Sequence, residues 1–414
     1  LAPETRGCGS VCVDAGLGVT QAAGVTNPQR GGVVFSMPGR STRRQWCRGV
    51  GAACVIVPAA GCNLPDGTGL AYDTWADYPD RSLPVELRLV QAAILAASPH
   101  NTQPWRFVVS PTVIELWRDA DRSLGALDPL GREQVIGLGC RLENLAVAAP
   151  GFGRTATIEA WPDAEAPLFV ARIALSGGEA AEHPLADTIA HRHTQRGRYM
   201  DAPLSQQVEP AMVEVIDDLA DVELVLLQGS DRAAFRTGTI DATEVIVDDR
   251  EMNEASHRWW RQTHDAIEQH RDGLTIMTSG LGAGMRALGK LGDGPSAAKA
   301  GDYWIRATRK GQTTGSAFGA LVTPALEDPA MLLQVGRAWQ RLQLWMVANG
   351  LASQPLNQMF ERRDREVQRG LPSDFGERLA ALVGEHGQMG FRVGYAWDEF
   401  GPSPRRPVDW VVGT

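Results

Sequence analysis

The sequence predicts an α+β fold, and three observations carry that expectation. Short apolar strands recur at 107–109, 113–117, 222–227, 318–322 and 391–396, too few and too widely spaced for an all-β protein. Helical stripes run between them. Leu87, Val90 and Ile94 repeat at helical spacing over 87–96, and Leu332, Val335, Gly336, Trp339, Leu342 and Met346 share one face over 329–350. Finally, 414 residues with 43% hydrophobic content suffice for one large core or two smaller ones. A net charge of −9 speaks against nucleic acid as a partner, because neutralising phosphates takes a basic face.

The first 62 residues follow a different logic. Residues 1–36 lack apolar periodicity and are rich in chain breakers, and Met37 reads as the true start. This tract is therefore expected to be a non-native or disordered extension. Thr42-Arg43-Arg44-Gln45-Trp46 resembles the twin-arginine export motif, and the apolar run 50–60 behind it is shorter than the about 20 residues of a membrane span. Ala59-Ala60-Gly61 then precedes Cys62. Residues 37–62 read as a cleavable signal peptide of lipoprotein type, with Cys62 either lipidated or a chance cysteine after a small-residue cleavage site. The expected destination is the cell envelope, periplasmic or membrane-anchored, with membrane contact only through a lipid on Cys62. Cys8, Cys12, Cys47 and Cys54 precede the cleavage point, which leaves Cys62 and Cys140 and no expected structural disulfide.

Downstream, the helix over 87–96 stops where Ser98-Pro99 forbids its continuation. The stretch 97–107 is polar and turn-rich and leads straight into a strand. A loop held between rigid elements and carrying Ser98, Asn101 and Gln103 can hydrogen-bond the edge of a planar heterocycle; an ordinary turn with capping residues fits equally. Gly177-Gly178 and charged neighbours over 176–183 mark a linker between segments 80–176 and 184–414. An internal echo aligns 131–151 with 329–350, matching Gly139 to Gly336 and Leu145 to Leu342. Gly282-Ala283-Gly284-Met285-Arg286-Ala287 fits a Gly-x-Gly-x-x-Ala loop but lacks a surrounding βαβ unit, so the tract 280–302 reads instead as a glycine-rich lid. His191, His193, His264 and His270 lack a further spaced ligand set, and no metal site is expected. Trp259-Trp260 with His257 and His264 suits helix packing or an aromatic wall beside a substrate.

The stretch Ala97-Ser98-Pro99-His100-Asn101-Thr102-Gln103-Pro104-Trp105-Arg106-Phe107 resembles the Pro-Ser-x-x-Asn-x-Gln-Pro-Trp-x-Phe loop of the nitroreductase-type FMN oxidoreductases, with Ala97 in place of the family's proline. His191-Arg192-His193-Thr194-Gln195-Arg196 resembles the family's opening Arg-x-Ser-x-Arg/Lys segment, with Thr194 for serine. Ser353-Gln354-Pro355-Leu356-Asn357 resembles its flavin-edge loop, and Gly394-Tyr395-Ala396 with Ser403-Pro404-Arg405-Arg406-Pro407 its closing strand and basic end. The resemblance implies FMN as cofactor. Arg192, Thr194, Arg196, Arg405 and Arg406 would serve the phosphate and ribityl chain, Ser98, Asn101 and Gln103 the cross-domain side of the ring, and Pro355 and Leu356 its edge. FMN itself would do the hydride chemistry, so no protein acid, base or nucleophile is implied.

The arrangement as a whole is similar to the Acg-like proteins, in which two nitroreductase-like halves are fused in tandem as a pseudo-dimer. The first half has the Ser/Asn/Gln loop without the arginine opening, and the second has the reverse, so one complete flavin pocket per chain is implied and a monomer can hold it. The implied activity is reduction of nitroaromatic, quinone-like or other electron-poor small molecules, with NAD(P)H as electron donor. Export and a cytoplasmic donor pull in opposite directions. The alternative is therefore a flavin-binding or flavin-sequestering protein of the same fold with little or no turnover.

Overall fold

Two long helices with no side chain between them at their crossing lie at the centre of the computed structural model, which describes residues 67–282, 286 and 294–413. Arg43, Arg44, Cys62 and the tract 1–36 lie outside the described residues, as does most of 283–293. In the first segment, α1 (Val85–Ile94) leads through the 98–103 loop into the strands β1 (Trp105–Val109) and β2 (Val113–Arg118). Next come the long helix α2 (Arg132–Ala148) and the strands β3 (Arg154–Ala160) and β4 (Phe169–Gly177). The second segment supplies β5 (Glu223–Leu227), α3 (Gly229–Asp248), α4 (Arg250–His257) and the two-residue strands β6 (Trp260–Arg261) and β7 (Leu274–Thr275). It continues with α5 (Ala297–Ala307), β8 (Ala317–Val322), the long helix α6 (Pro329–Ala348) and β9 (Ala352–Pro355). The last elements needed here are α7 (Gln358–Arg369), α8 (Asp374–Val383), β10 (Gly387–Gly394) and β11 (Val412–Gly413).

The fold is α+β, as predicted, with one sheet per segment. The first sheet has the order β11-β1-β2-β4-β3 and the second β5-β8-β10-β9, with a separate β6-β7 pair. All pairings in the second sheet are antiparallel; in the first, β11 lies parallel to β1, with Val412 opposite Phe107. The end of the second segment thus covers an edge of the first segment's sheet.

The predicted strands all appear, shifted by a few residues, and β3, β4 and β9 join them. β3 alternates Ala156, Ile158 and Ala160 with Thr155, Thr157 and Glu159, turning Ala156 and Ile158 to the core, whereas β9 reads Ala-Ser-Gln-Pro and carries no apolar pattern. Pairing with β10 makes β9 a strand.

The aligned glycines explain the helix crossing. A Cβ on Gly139 would stand 2.1 Å from the Leu333 carbonyl oxygen and 3.0 Å from the Gly336 Cα, and one on Gly336 would stand 2.0 Å from the Ile136 carbonyl oxygen. Only glycine permits that approach. Around it, Val135, Leu138, Leu142, Val335, Trp339 and Leu342 belong to one apolar cluster that also takes in Phe107 and Phe391 from the two sheets. Polar side chains pin the register of the pair. The Gln340 amide donates to Asn144 Oδ1 at 2.7 Å, and Arg337 and Arg341 both bond the buried Glu143. Replacing Gly336 by Val should lower stability by about 3 kcal/mol through overpacking, seen as a lower denaturant midpoint at unchanged slope.

Candidate functional site

A cavity of about 670 Å³ opens beside this crossing, walled by both segments. The lining takes in the 98–101 loop, Ile136, Gly137 and Cys140 of α2, Arg192, His193, Thr194 and Arg196, Gln354 and Pro355 at β9, and Arg405. Asn253, Ser256, His257 and Trp260 form another side, and Gly294, Pro295 and α5 cover part of it. Trp260 and His257 are therefore an aromatic and imidazole wall, whereas Trp259 packs with Leu124, Leu127 and Met252. Leu281 and Gly301 place the described parts of the 280–302 tract on the lining.

The 98–103 loop is bent by left-handed backbone at His100, Asn101 and Gln103, a conformation asparagine tolerates better than glutamine does. Its amides satisfy backbone groups. Asn101 Nδ2 donates to the carbonyls of Gly273 at 3.1 Å and Pro404 at 2.9 Å, and Asn101 Oδ1 accepts from Arg405. Gln103 Nε2 donates to Arg271 O at 2.7 Å, and its Oε1 accepts from Arg406 N at 2.9 Å. Buried amides must be satisfied, and the folded-back 404–406 segment provides the partners.

Of the expected site residues, Ser98, Asn101, Arg192, Thr194, Arg196, Pro355 and Arg405 line the cavity together. Gln103, Leu356 and Arg406 lie behind the lining. Gln103 carries the loop bonds just described, Leu356 sits in the apolar cluster of Phe235, Phe360 and Phe375, and Arg406 donates to the carbonyls of Gln103 and Trp105.

The cationic side is short of acceptors. Arg192, 3% exposed, donates to Leu95 O at 3.1 Å and reaches Gln343 Oε1 at 3.4 Å, leaving its Nε unpartnered. Arg196 donates to Thr278 O, while Arg405 reaches Ser403 Oγ and the carbonyls of Pro404 and Ala96 but also keeps an unpartnered Nε. Behind them Arg141 stacks 3.3 Å from the Trp105 ring centroid, with all three of its nitrogens unpartnered. Among the described residues none of these four guanidiniums has a carboxylate at ion-pair distance. Burial lowers Arg192 and Arg196 to about 10, and Arg141 and Arg405 well below the arginine range. Burial, with Arg192 next, also lowers His193 to about 3 and leaves a neutral imidazole edge-on to Trp75. Nothing in the local sequence around Arg141 marks it, because the Trp105 ring it stacks on comes from a distant stretch.

Arg392 of β10 holds this side in shape. Its guanidinium, stacked 3.8 Å from the Tyr199 ring centroid, bonds the carbonyls of Gly311, Thr314, Gln195 and Gly197 and Gln354 Oε1. It thereby fixes the arginine loop relative to β9.

Glu133 of α2 and Glu361 of α7 also line the cavity. Residues 361–366 are an unbroken run of charged side chains, a pattern that ordinarily marks a solvated face, yet every one is buried. Burial first, then the neighbouring Asp128, push Glu133 up to about 8. Burial and Glu133 raise Glu361 well above the carboxylate range.

No family model matches the chain. Among curated proteins, it is 28% identical over 336 residues to a Mycobacterium tuberculosis protein named "Putative NAD(P)H nitroreductase", covering 77% of this chain and 88% of that one. It is 38% identical over 117 residues to the M. tuberculosis "Putative NAD(P)H nitroreductase acg", covering 28% of this chain and 35% of the relative. The solved FMN- and NADPH-dependent nitroreductase NfnB from sphigopyxis sp. strain HMH aligns at 18% identity and a TM-score of 0.38, covering 56% of this chain and 98% of that one; so distant a likeness carries no argument. The chain is thus similar, over most of its length, to proteins named as nitroreductases.

An unfolded glutamate ionises near pH 4, whereas native Glu133 keeps its proton to about 8. The native state binds the extra proton between those values, so this group's contribution to stability falls as pH rises through that window, by up to about 1.4 kcal/mol per pH unit. Denaturation across pH 5 to 8 should show a shallower decline for Glu133→Gln than for the wild type; equal slopes would contradict a protonated Glu133.

Proposed function

We propose that this chain is a flavin-dependent oxidoreductase of the nitroreductase kind, holding one FMN in the cavity and reducing nitroaromatic, quinone-like or similar electron-poor small molecules. The observation that carries this reading is the group of buried guanidiniums without counter-charge. Arg192 and Arg405 line the cavity and each keeps a buried, unpartnered Nε, Arg196 joins them there, and Arg141 stands behind. A phosphate brings the charge and the acceptor oxygens that such a cluster lacks.

The residues present fit FMN. Arg192, Arg196 and Arg405 would hold its phosphate, with Ser98 and Thr194 offering hydroxyls and Asn101 and Pro355 bordering the ring. Gln103, Leu356 and Arg406 would act from behind by fixing the loops that carry those groups. When bound, FMN supplies the hydride chemistry. The chain's own residues bind the phosphate, exclude water and set dipoles where charge develops. NAD(P)H as donor is supported by the names of the relatives. The export route through Arg43, Arg44 and Cys62 belongs to the same proposal, with FMN inserted before the folded chain is moved.

Purified protein should be yellow, with a flavin band that NAD(P)H bleaches and an electron-poor acceptor restores. Persistent colour without bleaching would point to sequestration, and a colourless protein that cannot be reconstituted would refute flavin binding. Changing Arg192 and Arg196 together to Ala should raise the FMN dissociation constant about 100-fold or more while circular dichroism stays unchanged. Unaltered affinity would remove these arginines from the site.

A further inference from the structure

Three side chains of the cavity lining carry buried polar atoms with no partner. Glu133 is 6% exposed with Oε1 unpartnered, Glu361 is 5% exposed with Oε2 unpartnered, and the neutral Gln358 beside them is 5% exposed with Oε1 unpartnered. All three side chains line the cavity.

Most surrounding charges are committed elsewhere, but Arg132 keeps an unpartnered Nη2 and its charge draws both Glu133 and Glu361 down. Asp364 receives Arg132 Nε at 2.7 Å and Arg363 Nη2 at 2.9 Å. Asp128 accepts the backbone N–H groups of Glu133 at 3.1 Å and Gln134 at 2.9 Å and faces Arg118. Arg362 turns away to Asp249 and the Met252 sulfur. The Asn357 amide donates to Glu133, and its Oδ1 accepts from Gly390 N. Among the described residues, no cation therefore lies at ion-pair distance from Glu133 or Glu361. Burial raises both carboxyls against the pull of Arg132, and two such groups in one buried site do not both ionise, so the pair holds at least one proton.

We propose that Glu133 and Glu361 form an uncharged, hydrogen-bond-donating subsite that takes the carbonyl or nitro oxygen of the electron acceptor and passes it a proton. The proposal rests on reading the cavity as an oxidoreductase site, and it assigns protein groups a part in chemistry otherwise left to the cofactor. A quinone becomes a hydroquinone by gaining one hydride and one proton; a nitro group becomes a nitroso group and water by the same gain. The hydride, with its two electrons, comes from the cofactor reduced by a nicotinamide. The proton leaves a glutamate O–H for the acceptor oxygen, and the carboxylate left behind is reprotonated from water. Two sets of lining residues would then divide recognition, with guanidiniums for the phosphate and neutral acids for the acceptor.

The test uses the full chain, NADPH and para-benzoquinone. Glu133→Gln, Glu361→Gln and the double variant keep a neutral N–H donor of the same shape but cannot release a proton. Expected results are unchanged FMN content, an unchanged rate of flavin bleaching by NADPH, KM for the quinone within about threefold, and kcat lowered about 100-fold in the double variant. Infrared spectra of the flavin-free chain at neutral pH should show protonated-carboxyl C=O absorption that the double variant loses. That measurement on the wild type needs no variant to fold. Absence of the absorption, or wild-type kcat in the double variant, overturns the proposal alone. A chain that takes no flavin overturns the reading of the cavity and the proposal with it.

Discussion

Two helix backbones touch at Gly139 and Gly336, and the geometry of the cavity descends from that contact. With no side chain at the crossing, α2 and α6 approach closely enough for one apolar cluster to run from Phe107 in the first sheet to Phe391 in the second. The same approach brings Ile136, Gly137 and Cys140 of α2, with Trp339 of α6, to the cavity wall. It also sets the first turn of α2, where Glu133 sits, against α7. A side chain at the crossing would move a cavity wall as well as loosen the core.

Charge is separated across this cavity in an uncommon way. Salt bridges elsewhere consume the carboxylates that could have neutralised the arginines: Asp272 takes Arg122 and Arg261, Glu143 takes Arg337 and Arg341, and Asp249 takes Arg362 and Arg365. Arg141, Arg192, Arg196 and Arg405 are left with one another, while among the described residues Glu133 and Glu361 have no cation at ion-pair distance and feel only the nearby charge of Arg132. Each group is costly to bury alone, and a ligand with a dianionic end and an oxygen-bearing end would relieve both costs. Unsatisfied polarity of this kind suits a binding site better than a structural core.

The C-terminal segment ties these features together. Residues 404–406 receive the amides of Asn101 and Gln103, deliver Arg405 to the lining, and lead into β11 on the edge of the first sheet. Two stretches about 300 residues apart in sequence thus form one rigid wall. Their polarity is legible in the sequence, but their mutual bonding is not.

Local pattern determined a good deal by itself. The helical stripes, the strands with apolar character and the glycine echo between α2 and α6 are periodic properties that neighbours in sequence reveal. The polar loop and the arginine segment announce binding chemistry through residue type and spacing. Tertiary structure alone decided the rest. Polar β9 became a strand through the hydrogen bonds of β10, Gln103 and Arg406 were drawn behind the lining by each other, and the charged run 361–366 was buried. Arg141, Glu133 and Glu361 became candidates through the partners they lack, and the absence of a partner is a property of three-dimensional surroundings that no stretch of chain contains.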